Sequence, residues 1–442
     1  MMLSPDEVNA IASKIIARSG AEACTVSISG GDSRNFRFAR NEGTTNGAVS
    51  SVSVSIESSF GKRAGSATVN ALEDGALEEA RLRSEEIARL SPENPEHMPP
   101  LGPQSYEPEG VRYDSSTACI QASGLAQAAA SAIAAGQNYE LGLAGFIEAE
   151  GSFRALCNSA GLFAYDRGSR AELTVTARHT KRAWSGWAGA SQNRFSALDP
   201  AGLGERAVGK ALFPGEAADL DPGTYTVILE PAATADLVQM LVYGMAARSA
   251  DEGRSFLSKP GGGTKLGERL LSEAVTITSD PASPDAPDTL FGPDGVPKRR
   301  TVWFERGLAK TMSYSRFWAQ KMGCEPVPFA FNLSMAGGAV PIEDMIRAVK
   351  RGILVTRLWY VNVVDPRTLL CTGMTRDGNF LIENGKITRP ALNLRFNESP
   401  LSALSRIEAL GSAERPGGGW GMVSAPPLLI SKFTFSSRSS GI

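Results

Sequence analysis

Along the first 90 residues the apolar positions change period. Val8, Ile11, Ala12, Ile15 and Ile16 recur at helical spacing behind Ser4-Pro5-Asp6-Glu7, where a capping hydroxyl, a first-turn proline and two acids mark a helix start. Gly20 ends that run. Val52, Val54 and Ile56 then alternate with Ser51, Ser53, Ser55 and Glu57, the period of a strand buried on one face. Residues 23–29, 35–41 and 62–69 read as its neighbours, and helical composition returns over 73–90. Residues 1–90 are therefore predicted as helix, three or four antiparallel strands, helix.

Pro92, Pro95, Pro99, Pro100, Pro103 and Pro108 can neither continue a helix nor donate to a ladder, so 91–110 reads as a linker. The next segment, 111–218, opens with an alanine-rich helix expected over 117–135. Strands over 144–156 and 162–178 follow, joined by the turn-like Asn158-Ser159-Ala160-Gly161. A break at Asp219-Leu220-Asp221-Pro222-Gly223 begins the last unit, 219–442. Its pattern predicts a strand over 225–229, a helix over 232–248, short strands at 302–304, 361–364 and 380–382, and an amphipathic helix near 342–350. Residues 280–297, with Pro281, Pro284 and Pro287 among aspartates and serines, read as a long exposed loop. The chain is α+β, with a β-dominated C-terminal domain.

Composition narrows the chemistry. The chain has 442 residues, 42% hydrophobic and 21% charged, which excludes a mostly disordered protein. Lys plus Arg number 45 against 47 Asp plus Glu, so the formal charge of −2 gives no net field for nucleic acid. Five cysteines, at 24, 119, 157, 324 and 371, show neither a disulfide framework nor a metal-binding spacing. The first residues lack a cationic stretch and apolar run. The most apolar segment, 237–247, falls short of the roughly 18–20 residues that span a bilayer. A cytoplasmic protein without membrane contact is expected. Only His97 and His179 are available as imidazoles, and His97 lies in the proline-rich linker.

Specific motifs are few. The order G-x-x-x-x-G-K-[ST] is absent, and Gly261-Gly262-Gly263-Thr264-Lys265 and Gly417-Gly418-Gly419-Trp420-Gly421 read as turns. No G-x-S-x-G elbow occurs. His179, closing an alternating strand, reads as an edge histidine before a catalytic one, and Cys371, in an apolar run, as a buried thiol. Lys181-Arg182, Lys298-Arg299-Arg300 and Lys350-Arg351 read as solvated charge. Arg248, Asp251, Glu252 and Arg254 follow directly on an apolar helix, either as an internally paired helix end or as a polar cluster at a pocket mouth.

Several strings, in order, resemble the TldD/PmbA (TldD/TldE) family of peptide-processing zinc proteases. They are Gly223-Thr224-Tyr225-Thr226-Val227-Ile228-Leu229-Glu230-Pro231, Asp294-Gly295-Val296-Pro297-Lys298-Arg299-Arg300, Phe331-Asn332-Leu333 leading to Gly337, and Gly378-Asn379-Phe380-Leu381-Ile382-Glu383-Asn384-Gly385. Arg40-Asn41-Glu42-Gly43 is similar to a further segment. In the family's catalytic subunit, H-E-x-x-x-H on the helix after the first C-terminal strand and a later cysteine hold zinc. The resemblance puts Tyr243-Gly244-Met245-Ala246-Ala247-Arg248 at that helix motif and Ala409-Leu410-Gly411-Ser412-Ala413-Glu414 where the thiol is expected. Tyr243, Gly244 and Arg248 supply no imidazole, so no catalytic residue, metal ligand or cofactor is carried over.

The resemblance then implies the non-catalytic side of the family. Such a chain forms a homodimer or pairs with a TldD-like subunit, and takes an extended peptide by strand addition. Arg248, Asp251, Glu252 and Arg254 would lie near the vestigial site and hold peptide termini or charges. Two alternatives stand beside this: an independent hydrolase rebuilt from Asp251, Glu252 and His179, and a binding or regulatory protein, since the family has also been labelled a modulator of DNA gyrase.

Overall fold

The computed structural model describes residues 1–108, 110–419 and 421–439. Helix α1 (Pro5–Arg18) opens with the expected cap: the Ser4 hydroxyl accepts from the Glu7 amide, and the Glu7 carboxylate accepts from the Ser4 amide at 2.7 Å. Strand β1 (Ala23–Ala39) then runs unbroken through the two segments expected as separate strands. Gly30-Gly31, between those two segments, lies inside the ladder. A Cβ on Gly31 would sit 2.4 Å from the Gly151 carbonyl oxygen, so glycine here admits a close neighbouring strand. Arg40 and Asn41 turn the chain at φ +54° and +66° into β2 (Glu42–Phe60), the backbone that a two-residue hairpin of matching twist requires.

After β3 (Arg63–Val69) and α2 (Asp74–Leu90), the hairpin β4 (Leu141–Asn158) and β5 (Phe163–His179) turns where Asn158 and Gly161 predict it. With β6 (Ser185–Gln192), these strands form one antiparallel sheet in the order β3-β2-β1-β4-β5-β6, continuous across residues 1–90 and 111–218. On β4, Leu141, Leu143, Ile147 and Ala149 pack beneath α4 (Ala122–Ala134) and α5 (Pro200–Ala211), and Phe153, Ala155 and Cys157 beneath α1 and α2. The alternate residues, Glu148, Glu150 and Arg154 among them, face the other way. The expected helix over 117–135 is two helices, because Asp114 caps a short α3 (Ser115–Ala118) through the Thr117 amide and the chain turns before α4.

The C-terminal half holds two further sheets. Strands β7 (Gly223–Leu229), β12 (Arg351–Asp365), β13 (Leu370–Glu383), β15 (Leu394–Glu398) and β18 (Leu428–Arg438) follow the order β12-β7-β18-β15-β13. Pairing of β12 with β13 closes that path into a ring without free edges. β14 (Lys386–Ala391) and β16 (Ile407–Leu410) attach outside it, on β13 and β18. A smaller sheet joins β8 (Ile277–Ser279), β9 (Thr301–Glu305), β10 (Leu308–Ala309), β11 (Leu333–Met335) and β17 (Val423–Ser424). Helix α6 (Pro231–Tyr243) buries Leu237, Val238, Leu241 and Val242 against ring residues such as Ile353, Val355 and Phe433. Each such side chain contributes about 1.5–3 kcal/mol. Short helices α8 (Arg316–Met322), α9 (Ile342–Ala348) and α10 (Pro400–Ser405) complete this half.

Three further expectations are corrected here. The helix predicted over 232–248 stops at Tyr243 and resumes as α7 (Ala247–Asp251). Ser313 draws the intervening backbone into strand-like pairing, accepting from the Ala247 amide at 2.9 Å and donating to the Met245 carbonyl at 2.9 Å. The 280–297 segment is not an exposed loop: Ala286, Asp288, Leu290, Phe291 and Val296 are buried. Leu290 and Phe291 pack on Leu156, Leu162 and Ala164, and Asp288 pairs with Lys298 at 3.0 Å. Lys298 is therefore an interior cation, not a solvated one.

Candidate functional site

Ala232, Ala235, Asp236, Gln239 and Met240 recur at i, i+3, i+4, i+7 and i+8 on α6 and line one wall of a cavity of about 420 Å³. Residues 357–362 of β12 form a second wall, and Pro416, the Gly417–Gly419 run and Gly421 a third. Trp187 reaches in from β6, so the cavity lies where the two halves of the chain meet. Asp236 is the one acid among these lining residues. Among the described residues it has no hydrogen-bond or ion-pair partner. Burial pushes its carboxyl up to about 7, against the opposing pull of Arg357.

Arg357 is held by a distortion of the ring. β12 and β13 slip out of register between Val355 and Arg357, and on the facing strand Asp377 and Gly378 take φ of +55° and +123°. A bulge of this kind re-aims side chains beside a site. It brings Asp377 to Arg357 at 2.5 Å, and Ser185 of β6 donates to the same carboxylate at 2.7 Å. The Arg357 guanidinium lies 4.9 Å from the Trp187 ring centre and 5.0 Å from that of Trp359, within cation–π range of both.

The glycine loop is fixed by Arg415, which donates to Asn193 at 2.8 Å and also to Gln192, while its carbonyl accepts from the Ser191 amide. A Cβ on Gly421 would lie 2.5 Å from the Phe331 carbonyl oxygen. Glycine is thus demanded by contact, and the loop leaves bare peptide groups at the cavity wall. Trp420 lies outside the described residues.

The four charged residues singled out from the sequence sit elsewhere. Arg248 makes a two-pronged pair with Glu96 of the linker, both contacts 2.8 Å, and donates to Glu252 at 3.0 Å. Arg254 donates to the other Glu252 oxygen, and these hydrogen bonds, Arg254's first, hold the Glu252 carboxyl below its usual range. Asp251 accepts from the Trp318 indole at 2.7 Å. The group is thus a clamp of linker, α7 and α8. Only Arg248 of the four lines a second cavity of about 410 Å³, walled chiefly by apolar residues such as Val296, Val327 and Phe329. Tyr243 ends α6 with its ring exposed and set edge-on to Phe329, and Gly244 packs against Phe256 and Leu369.

Zinc, implied by the resemblance, needs neutral imidazoles, thiolates or carboxylates in a tetrahedral set. An exposed phenol, a glycine and a guanidinium already paired to two carboxylates do not fit that ion. Among the described residues no three His, Cys, Asp or Glu converge. His179 closes β5, where its Nδ1 accepts from the Lys181 amide at 3.1 Å. No hydrogen bond joins His179 to Asp251 or Glu252 among the described residues. Cys371 is buried, and burial raises its thiol to about 11. Among the described residues no helix is long and apolar enough to cross a membrane.

Asp236 had a signal in the sequence, since it is the sole charged residue of α6 in Pro-Ala-Ala-Thr-Ala-Asp-Leu-Val-Gln-Met-Leu-Val-Tyr. An acid placed in an otherwise apolar helix asks what it faces. Arg357, Asp377 and Trp187 had none, because they meet only through a bulge and a contact between distant strands.

Residues 113–212 match the PmbA/TldA metallopeptidase central domain and residues 222–437 the PmbA/TldA metallopeptidase C-terminal domain. A metalloprotease of Methanothermobacter thermautotrophicus is 24% identical over 231 residues, 49% of each chain. A TldD homologue of Buchnera aphidicola, also a metalloprotease, is 24% identical over 36% of this chain and 35% of its own. The chain thus spans half or less of these relatives' length. The crystal structure of TldE from Thermococcus kodakarensis superposes with a TM-score of 0.83 at 19% identity, covering 98% of this chain and 99% of that one. A protein of Bacteroides thetaiotaomicron proposed as a modulator of DNA gyrase gives 0.84 at 21% identity, covering 99% and 100%. These likenesses carry the fold across the chain, and the two domain matches place this protein in the PmbA/TldD metallopeptidase family.

Proposed function

We propose that this chain is a PmbA/TldD-family protein without peptidase chemistry of its own. It holds an extended peptide at the cavity between its halves, as a homodimer or beside a zinc-bearing TldD-like relative that cuts it. The observation that carries this reading is the donor set: Tyr243, Gly244 and the paired Arg248 stand where the resemblance expects metal ligands. The cavity favours a peptide through its aromatic walls, one open carboxyl and the bare backbone of Gly417–Gly419 and Gly421, features that accept many sequences by main-chain contact. Direct DNA binding is no part of the proposal, because a formal charge of −2 supplies no net attraction.

Metal analysis and a peptide-cleavage assay test it together. The purified chain is expected to carry no stoichiometric zinc and to release no fragments from an unfolded peptide. Addition of a catalytic relative is expected to restore cleavage, with this chain raising the rate. Turnover by the chain alone would overturn the proposal and favour the independent hydrolase.

A further inference from the structure

We infer that Asp236 is the receptor for a primary ammonium group carried by a peptide, an inference that rests on the peptide-binding reading above. Three observations converge. Asp236 lines the cavity beside Ala232, Ala235 and Met240, and among the described residues nothing donates to it. This half-buried carboxyl faces the cavity with no donor to answer it, and an incoming cation supplies one. The nearest cation does not serve that purpose. Arg357 lines the same cavity but is hydrogen-bonded to Asp377 and lies within cation–π range of Trp187 and Trp359, and it makes no ion pair with Asp236. Arg376 also leans on Asp377, at 3.4 Å, so that carboxylate meets two guanidiniums and Asp236 meets neither.

An ammonium has three donors. Asp236 takes at least one, and Gln239 one turn along the helix and the glycines of the third wall line the same space. A peptide carboxylate is disfavoured there, because the cavity would set it against an acid while its arginine is engaged. Two groups on a peptide offer the required chemistry, the amino terminus and a lysine side chain.

The experiment uses three probes on the full chain, read by isothermal titration and by the fluorescence of the tryptophans. They are pentaalanine amide with a free amino terminus, its N-acetyl form, and the N-acetyl form with lysine at the central position. The free or the lysine peptide is expected to bind roughly 10- to 100-fold more tightly than the acetylated alanine peptide. Which of the two does so identifies the source of the ammonium. Asp236→Asn, isosteric and checked for its fold by circular dichroism, is expected to erase the preference while leaving affinity for the acetylated peptide unchanged. Equal binding of all three peptides, or a preference that survives in Asp236→Asn, overturns the inference and leaves the peptide-binding reading standing. Binding of none overturns both.

Discussion

Asp236 sets the protonation behaviour of the cavity. Its carboxyl titrates near 7 in the folded chain and near the ordinary 3.8 when unfolded, so between those values the folded state binds more protons. Stability therefore falls as pH rises through that window and levels off above it. Asp236→Asn removes the dependence. The variant should match the parent near pH 4 and exceed it at pH 8 by an amount of order 1 kcal/mol, in urea melts at both values. A parent curve flat from pH 4 to 8 would contradict this. Arg248 makes the opposite case. Its pairs with Glu96 and Glu252 are exposed, and Arg248→Ala should leave the urea midpoint nearly unchanged, the more so in high salt, and leave peptide affinity intact. A loss of peptide binding instead would return the cluster to the functional role its sequence suggested. The contrast also explains what was legible. Arg248, Asp251, Glu252 and Arg254 caught the eye because they are neighbours in sequence, but proximity in sequence favours pairing among themselves. The acid with nothing to pair with stands alone in an apolar helix.

Elements with undisturbed local signals were readable: α1 from its cap, α2 from its composition, and β4 and β5 from their strand-like runs and the turn between them. Elements shaped by distant contacts were not. Residues 23–29 and 35–41 read as separate strands until β4 pairs along both, and 280–297 looks like solvated loop until its charges find partners inside. Those partners form a buried set: Asp166 pairs with Arg112 and lies 3.4 Å from Arg154, accepts from the Leu290 amide at 3.0 Å, and sits beside the Asp288–Lys298 pair. Burial pulls Lys298 below the usual lysine range, and Asp288 opposes the shift. Removing one member of such a pair strands the other, at a cost of about 3–5 kcal/mol, whereas replacing both with apolar residues of similar size is often close to neutral. Asp288→Leu and Lys298→Met should each lower the urea midpoint strongly, and the double variant should recover most of the loss. Additive losses would mean that the segment is held by Leu290 and Phe291 alone.

At the scale of the whole molecule, an antiparallel sheet with its own helices meets a closed ring with its own core, and the cavity exists only where they meet. Beside the apolar packing of Leu290 and Phe291 on Leu156, Leu162 and Ala164, polar contacts hold that junction: Ser185 to Asp377 at 2.7 Å, Lys210 to Glu230 at 2.6 Å, Arg415 to Asn193 at 2.8 Å and Tyr106 to the Gly295 carbonyl at 2.8 Å. Interfaces of such polarity between domains of one chain often permit relative motion. Here the junction is also tied by buried charge, because Asp377 answers Arg357 on the ring while accepting from Ser185 on the sheet. Asp377→Ala cuts both ties and leaves a guanidinium between two indoles without a counter-charge, which should cost about 3 kcal/mol or more. If the junction couples the halves, thermal unfolding followed by far-UV circular dichroism and by tryptophan fluorescence moves to lower temperature as one transition. If the halves are independent, the trace splits, and the sheet's transition stays at the parent's temperature. The coupled outcome is expected, since Asp377 touches both halves. It would mean that cavity shape and global stability are one property, so a ligand binding beside Asp236 raises the melting temperature of the entire chain.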